Sequence, residues 1–368
     1  MVRWGVLGTA AIAANCTIPG MKKAGNCELY AIAGRSEEKV KQYQEKFGFQ
    51  VGYVGYEALL QDPKVEAVYI PLPNHIHKQW VIAALRAGKH VLCEKPLALN
   101  AQEAQEMFQV AREYGVYLME AYAYLHSAYV ESLCEDVASG IIGDLVYIDT
   151  AFVTQGYRKD FRLHKPLGGG MIYDLGCYCT TMILSLLRAG AMTSSDGNQH
   201  LETEGLEDSF DWTSLSPVYV RAMAEMSDEA SELGDGTMGE SPAKTKEEDR
   251  VDAFAGAIMK FPNGVRASFD VGMILGVDGF GRYDRLYIHG TKGSIRSEVE
   301  YNQEGELKYR ITAGDVQIER RIFVEQNYKL EVEQLGRCIL GDERPHITPE
   351  FSIQNAKLLD TLLERIGF

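Results

Sequence analysis

Lys95 stands next to last in the run His90-Val91-Leu92-Cys93-Glu94-Lys95-Pro96. An apolar run stopped by proline reads as a short buried strand, and Pro96 disfavours helical geometry at Lys95. In open α/β sheets the ligand crevice lies outside the C-terminal ends of the strands, so an ammonium fixed there could enter it. The ordinary alternative is a surface lysine in a turn. Asp174 and Tyr178 form a second group. Four residues apart on one helix, a carboxylate and a phenol face the same way, one turn apart. Each also has a structural reading, Asp174 as a first-turn acid and Tyr178 as a core aromatic. Neither explains Gly168-Gly169-Gly170 just before them, which points to close approach of a cofactor or of chain.

A third group could hold phosphate. A strand-like run from Arg3 leads to Gly8, with Ala10 and Ala13 at the later places of a Gly-x-Gly-x-x-Gly/Ala fingerprint. Gly8 permits the tight turn, and the amides of Thr9, Ala10, Ala11 and Ile12 open a helix and could bind an anion. Ala10 adds a methyl where the fingerprint has glycine, and a βα turn without ligand is the alternative. The next strand, 28–33, ends at Gly34-Arg35-Ser36. No acid stands there for a ribose 2′-hydroxyl. Arg35 and Ser36 offer a cation and a hydroxyl, which suit a 2′-phosphate and favour NADP over NAD. Ser36 also fits as the cap of a helix over 37–47. A strand over 65–71 ends at Pro71, and Leu72, Asn74 and His77 follow on a loop; the cofactor must pass this strand end, Pro71 included, and His77 also suits capping or packing.

These residues need a frame. Strands alternate with helices from Arg3 to Ala121, the clearest helix being 100–114 with an Asn100/Glu103 capping box and a Gly115 stop. That pattern predicts a doubly wound parallel sheet. From residue 122 the chain changes character. A helix over 128–139, a strand over 144–153 and a helix over 173–188 precede strands at 252–261, 265–273, 285–289, 295–299, 307–312 and 316–323. The hairpin signal Pro262-Asn263-Gly264 supports a mainly antiparallel sheet. Helices would cover one face, and the other, read as an open apolar face, needs a partner. The acidic stretch 227–249 reads as a mobile loop. Two helices, 330–340 and 352–366, finish the chain. The prediction is two domains, 1–121 and 122–368.

The 368 residues exceed one typical core. The net charge of −15 opposes a nucleic-acid partner. Seven cysteines without paired spacing argue against a disulfide framework and a metal site. No long uncharged apolar span is read, and the early first strand leaves no room for a signal peptide, so the expected location is cytoplasmic without a membrane partner.

With the Gly8–Ala13 fingerprint, Pro73-Asn74-x-x-His77, Glu94-Lys95-Pro96, Arg162-x-x-x-Pro166-x-x-Gly169-Gly170 and Asp174-x-Gly176-x-Tyr178 in this order, the chain resembles the glucose–fructose oxidoreductase/inositol dehydrogenase/MocA (Gfo/Idh/MocA) family along nearly its full length. The likeness is nearest to its dihydrodiol dehydrogenase and NADP-dependent sugar dehydrogenase branch. The resemblance implies an N-terminal Rossmann domain, a C-terminal domain whose open sheet pairs in a dimer, and hydride exchange between nicotinamide C4 and a carbinol carbon. It makes Lys95 the catalytic lysine, Asp174 the substrate-positioning acid and Tyr178, where many members carry His, the acid/base. Glu94 and Arg162 join the cofactor contacts, and Leu72 departs from the commoner Thr. Tyr122, His126, Tyr157 and His164 are candidate pocket residues, with Tyr124 and Arg158 beside them. A free tyrosine is a poor base at neutral pH, but Lys95 and the positive nicotinamide would stabilise its phenolate. The expected activity is NADP-dependent oxidation or reduction at a secondary alcohol or carbonyl of a sugar, polyol or cyclic diol. Alternatives are redox-assisted glycoside cleavage and a nucleotide sensor without turnover.

Overall fold

The structure is a computed structural model, and it describes residues 1–155, 160–193, 210–227, 249–275, 282–297 and 301–368. The predicted acidic loop lies almost wholly outside these residues. The described chain forms two compact units, 1–127 with 324–356, and 128–323 with 357–368. This differs from two consecutive domains: the segment 324–356 returns to the first unit.

In the first unit, β1 (Val2–Leu7), β2 (Cys27–Gly34), β3 (Val51–Val54), β4 (Ala67–Ile70), β5 (His90–Glu94) and β6 (Leu118–Ala121) make an all-parallel sheet in the order β3-β2-β1-β4-β5-β6. The direction of winding reverses between β1 and β4, the place where such sheets open a crevice at their C-terminal ends. The first helix begins with a π-helical stretch, Ala13–Thr17, and continues as α1 (Ile18–Lys23). Then come α2 (Glu37–Phe47), α3 (Tyr56–Leu60), α4 (His77–Arg86) and α5 (Ala101–Tyr114). The predicted caps form. Ser36 Oγ accepts the Lys39 amide at 3.3 Å, Asn100 Oδ1 accepts that of Glu103 at 2.9 Å, and Gly115 ends α5 in the left-handed region. Leu7, Ala33, Val68, Ile70, Val91 and Cys93 bury one sheet face together with Leu59, Val81, Leu85, Met107 and Phe108 from α3–α5.

The second unit opens with α6 (Ala128–Ala138) and β7 (Leu145–Gln155). A π-helical stretch, Ile172–Gly176, leads into α7 (Cys177–Thr193). Seven more strands follow: β8 (Tyr219–Met226), β9 (Asp252–Lys260), β10 (Arg266–Leu275), β11 (Arg282–Gly290), β12 (Gly293–Ser297), β13 (Gly305–Ala313) and β14 (Val316–Val324). The sheet order is β14-β13-β12-β11-β7-β10-β9-β8. Only the central β7–β10 pair is parallel among the registers of β7 to β13. Residues 165–192 are long and apolar enough to span a bilayer, a run the composition reading passed over. An 18-residue window of it is 83 % buried within the protein, as in a core helix.

Ile148 and Thr150 of β7 turn to the buried face. The opposite face is not the bare apolar surface expected. Tyr219, Met223, Ile258 and Tyr283 are exposed on it, but its centre is polar. Arg285 pairs with Asp149 at 2.7 Å and Asp270 at 3.1 Å, and Ser268 Oγ donates to Asp149 at 2.7 Å.

The last two helices are α8 (Asn327–Leu340) and α9 (Pro349–Ile366). On β1, β4 and β5, Trp4, Val6, Tyr69 and Glu94 alternate onto the sheet face opposite the α3–α5 core. There Tyr69 and Glu94 lie within electrostatic reach of Glu331 of α8.

Candidate functional site

Within the first unit, the predicted cofactor residues cluster on one edge of the sheet. Gly8 follows β1 with φ +132°, and its amide donates to Ala33 O at 2.9 Å. A Cβ there would lie 3.0 Å from Leu72 Cδ2, so glycine is needed both for the turn and for the approach of the 71–77 loop. The first helical bond runs from the Ala14 amide to Ala10 O at 3.1 Å, so the amides just before it lack an i−4 acceptor. Ala11 is exposed, while Thr9, Ala10 and Ile12 are half-buried. This is the donor set an anionic pyrophosphate requires. Tyr43, which the sequence did not single out, donates to Thr9 O at 3.1 Å and Ala10 O at 3.2 Å and ties α2 to this turn. At the end of β2, Gly34 is buried and packs against Thr9 and Val40, while Arg35 is exposed beside the Tyr56 hydroxyl.

Two predicted site residues are buried. His77 is 0 % exposed, and its Nδ1 and Nε2 lie 3.0 Å from Pro96 O and 2.7 Å from Leu72 O. Set between these two carbonyls, the buried His77 ties the 71–77 loop to the Lys95-Pro96 turn. Burial pushes its pKa down to about 4, so the ring is neutral and donates to one carbonyl only. Tyr122, predicted to line a pocket, is 0 % exposed and accepts from Asn355 Nδ2 at 3.0 Å. Tyr124 is likewise core, at 2 %.

Lys95 follows β5 directly and is half-buried; its bond to Pro96 is cis. Glu94, the residue before it, accepts from the buried Tyr69 hydroxyl at 2.5 Å, which in turn accepts from Thr17 Oγ1 at 2.9 Å. Burial and Glu94 hold the Tyr69 phenol well above its ordinary pKa. Glu120, 2 % exposed on β6, accepts the Leu97 amide at 2.8 Å. Burial pushes its pKa up to about 7, against the opposing pull of the Ser352 and Tyr122 hydroxyls, the Leu97 amide and the Lys95 charge. Neither hydroxyl closes a hydrogen bond on Oε2. Pro71, Leu72 and Asn74 are buried in the loop after β4. His126 stacks edge-on against His346 at 5.1 Å, and burial drives its pKa well below the ordinary value.

In the second unit, the glycine question resolves in favour of chain. A Cβ on Gly169 would lie 2.5 Å from Arg162 O, and one on Gly170 would lie 2.0 Å from Asp252 Oδ1. Asp252 is 0 % exposed and its Oδ2 accepts the Ile172 amide at 2.7 Å, at the start of the π-helical stretch. Its pKa is pushed up to about 7 by burial, opposed by the amides it accepts. Asp174 lies within that wider stretch and Tyr178 in the first turn of α7, so the pair is not on a plain α-helix as the spacing suggested. Arg162, assigned to the cofactor on sequence, bridges Asp174 at 2.8 Å and Asp160 at 2.7 Å. His164 is half-buried beside them. Tyr157 and Arg158 lie outside the described residues.

Tyr178 is 9 % exposed, with its ring 5.4 Å from Phe152 and 5.5 Å from Tyr301. Its hydroxyl accepts from Asn302 Nδ2 at 3.3 Å. Asn302 is a residue the sequence reading missed; an isolated Asn among strand signals carries no mark. No group of three metal-ligating side chains occurs among the described residues.

Comparison with known proteins agrees with this layout. Residues 2–122 match the family described as an oxidoreductase family with an NAD-binding Rossmann fold, and residues 130–296 match the GFO/IDH/MocA C-terminal domain. An uncharacterized oxidoreductase of Rhizobium meliloti is 30 % identical over 98 % of this chain and 96 % of its own length. A D-xylose 1-dehydrogenase (NADP(+)) of Haloferax volcanii is 40 % identical over 48 % of this chain and 55 % of its own. Among solved structures, a 3-ketoreductase from Actinomadura kijaniata in complex with NADP and TDP-benzene aligns with a TM-score of 0.78 at 25 % identity, covering 99 % of this chain and 98 % of that one. The chain belongs to the Gfo/Idh/MocA family of oxidoreductases.

Proposed function

We propose that the protein is an NADP-dependent oxidoreductase acting at a secondary alcohol or carbonyl of a sugar, polyol or cyclic diol. The carrying observation is Lys95, seated directly after β5 on the sheet edge that also presents the Gly8 turn. The open amides of Thr9 to Ile12 suit a pyrophosphate, and exposed Arg35 with Ser36 suits a 2′-phosphate. Relatives named for NADP and for sugars support the same reading. A bound nicotinamide would supply or accept the hydride at C4. Tyr178 takes the proton from the substrate oxygen or returns it, and Lys95 donates a hydrogen bond to that oxygen. Asp174, held by Arg162, orients a neighbouring hydroxyl, which favours vicinal diols.

Aldoses, inositols and dihydrodiols screened with NADP and NAD, followed at the nicotinamide absorbance, test the reading. Turnover with NADP that Lys95→Met and Tyr178→Phe each lower by about 100-fold or more is expected. No turnover across the panel, or full turnover in both variants, would overturn it. The exposed Tyr219, Met223, Ile258 and Tyr283 around the Arg285 network suit a homodimer through this face. Sedimentation of Ile258→Glu should then show monomer where the parent shows dimer.

A further inference from the structure

Asn302 is the only non-glycine residue with positive φ among the described residues, at φ 61°. Left-handed backbone is uncommon outside glycine, asparagine being among the residues that tolerate it best, and here it aims a side chain. Here the aimed group is the carboxamide, whose Nδ2 donates to Tyr178 Oη at 3.3 Å. Its Oδ1 is buried without a partner, so this donor contact is what holds the amide. The preceding residue is anchored independently. Tyr301 donates its amide to Asp284 Oδ2 at 2.9 Å, and its carbonyl accepts from Arg282 at 3.0 Å. Its hydroxyl meets Thr150 Oγ1 at 2.7 Å, and its ring stacks on Phe152 at 5.2 Å. Tyr301 thus fixes the chain immediately before residue 302 and delivers it to the phenol.

We propose that Asn302 is a positioning residue for proton transfer by Tyr178, its carboxamide favouring the phenolate oxygen during turnover. A donor to the charged form favours that form. By turning over, a carboxamide also accepts from the neutral phenol, so one side chain serves both protonation states. A carboxylate could only accept, and would oppose the phenolate. The inference rests on the reading that Tyr178 is the acid/base. Among the described residues, the charged and titratable groups near the phenol include Asp174, Cys179, Tyr301, Arg282 and Asp284. Asp174 precedes it on the same helix and is paired with Arg162. Tyr301 packs against its ring, and the Arg282–Asp284 pair lies beyond, with the guanidinium 4.1 Å over Phe152.

The test is the pH profile of kcat/KM for alcohol oxidation by the whole protein, with NADPH binding followed by fluorescence. Asn302→Gly keeps the left-handed backbone and removes the amide. Its rising limb should move up by about one pH unit, with kcat at neutral pH lowered about tenfold. NADPH affinity and melting temperature should stay at parental values. Asn302→Asp should move the limb further in the same direction, because its charge opposes the phenolate. A limb unmoved in both variants, with normal or uniformly lowered turnover, overturns the proposal. Should Tyr178→Phe retain turnover, the acid/base reading itself fails. An inactive Tyr178→Phe beside unmoved Asn302 profiles sinks this inference alone.

Discussion

Gly170→Ala should damage the second unit out of proportion to one methyl. The backbone at Gly170 has φ 107°, which costs an L-residue about 1–3 kcal/mol. The added Cβ would lie 2.0 Å from Asp252 Oδ1, so the carboxyl must move. Moving it breaks the 2.7 Å bond from the Ile172 amide, worth about 0.5–3 kcal/mol over the protonated and charged forms of the carboxyl. Together these come to roughly 1.5–6 kcal/mol, against a total of about 5–15 kcal/mol for a typical protein. Calorimetry should show melting lowered by on the order of 10 °C. Turnover should fall more than NADPH affinity, because the carboxyl caps the stretch that carries Asp174 and leads to Tyr178. Asp252→Ala removes the obstacle, so in that background Gly170→Ala should cost only the backbone share, about 1–3 kcal/mol. An equal cost in both backgrounds would falsify the proposed clash.

Three buried acids set an unusual pH dependence. Glu120 and Asp252 are pushed up to about 7, and Glu331 well above its ordinary value by burial and then Glu94. A carboxyl whose folded pKa exceeds its unfolded one binds its proton more tightly when native, so stability is lost as pH rises through the window between the two. Melting temperature should therefore fall between about pH 5 and 8, and a flat or rising profile contradicts the burial argument. Glu331 has both oxygens unpartnered and is 0 % exposed, so Glu331→Met should raise stability at pH 8 by about 1–4 kcal/mol and flatten the profile. A loss of stability at pH 8 would show that the acid has an undetected partner. Arg35→Ala should weaken NADPH far more than NADH, measured by fluorescence titration, and equal losses would refute a 2′-phosphate contact. Tyr43→Phe removes the donor to Thr9 O and Ala10 O and should weaken NADPH about threefold to tenfold at unchanged fold; unchanged affinity would leave Tyr43 with no part in shaping the turn.

What was legible in the sequence was what is decided locally. Ser36, Asn100 and Gly115 mark the ends of α2 and α5 because a cap bonds to backbone within three or four residues of itself. The strand before Lys95 was equally plain, since a parallel strand buried on both faces reads as an unbroken apolar run. Long-range contacts left no such mark. Three glycines announced a close approach, but nothing in their spacing says that the neighbour is Asp252, 82 positions after Gly170 in the chain. His77 and Tyr122 look like site residues by type, and only the Leu72, Pro96 and Asn355 groups around them reveal how each is held inside the first unit. The π-helical stretches at Ala13–Thr17 and Ile172–Gly176 were read as plain helix, because one extra residue in a turn barely disturbs an apolar pattern. Asn302 is the sharpest case. Its value lies in a backbone angle and one hydrogen bond, and both depend on how Arg282 and Asp284 of β11 anchor Tyr301, a long-range contact that no local spacing marks. Residues that place a reacting group are thus less legible than residues that react, since placement is a property of the packed chain.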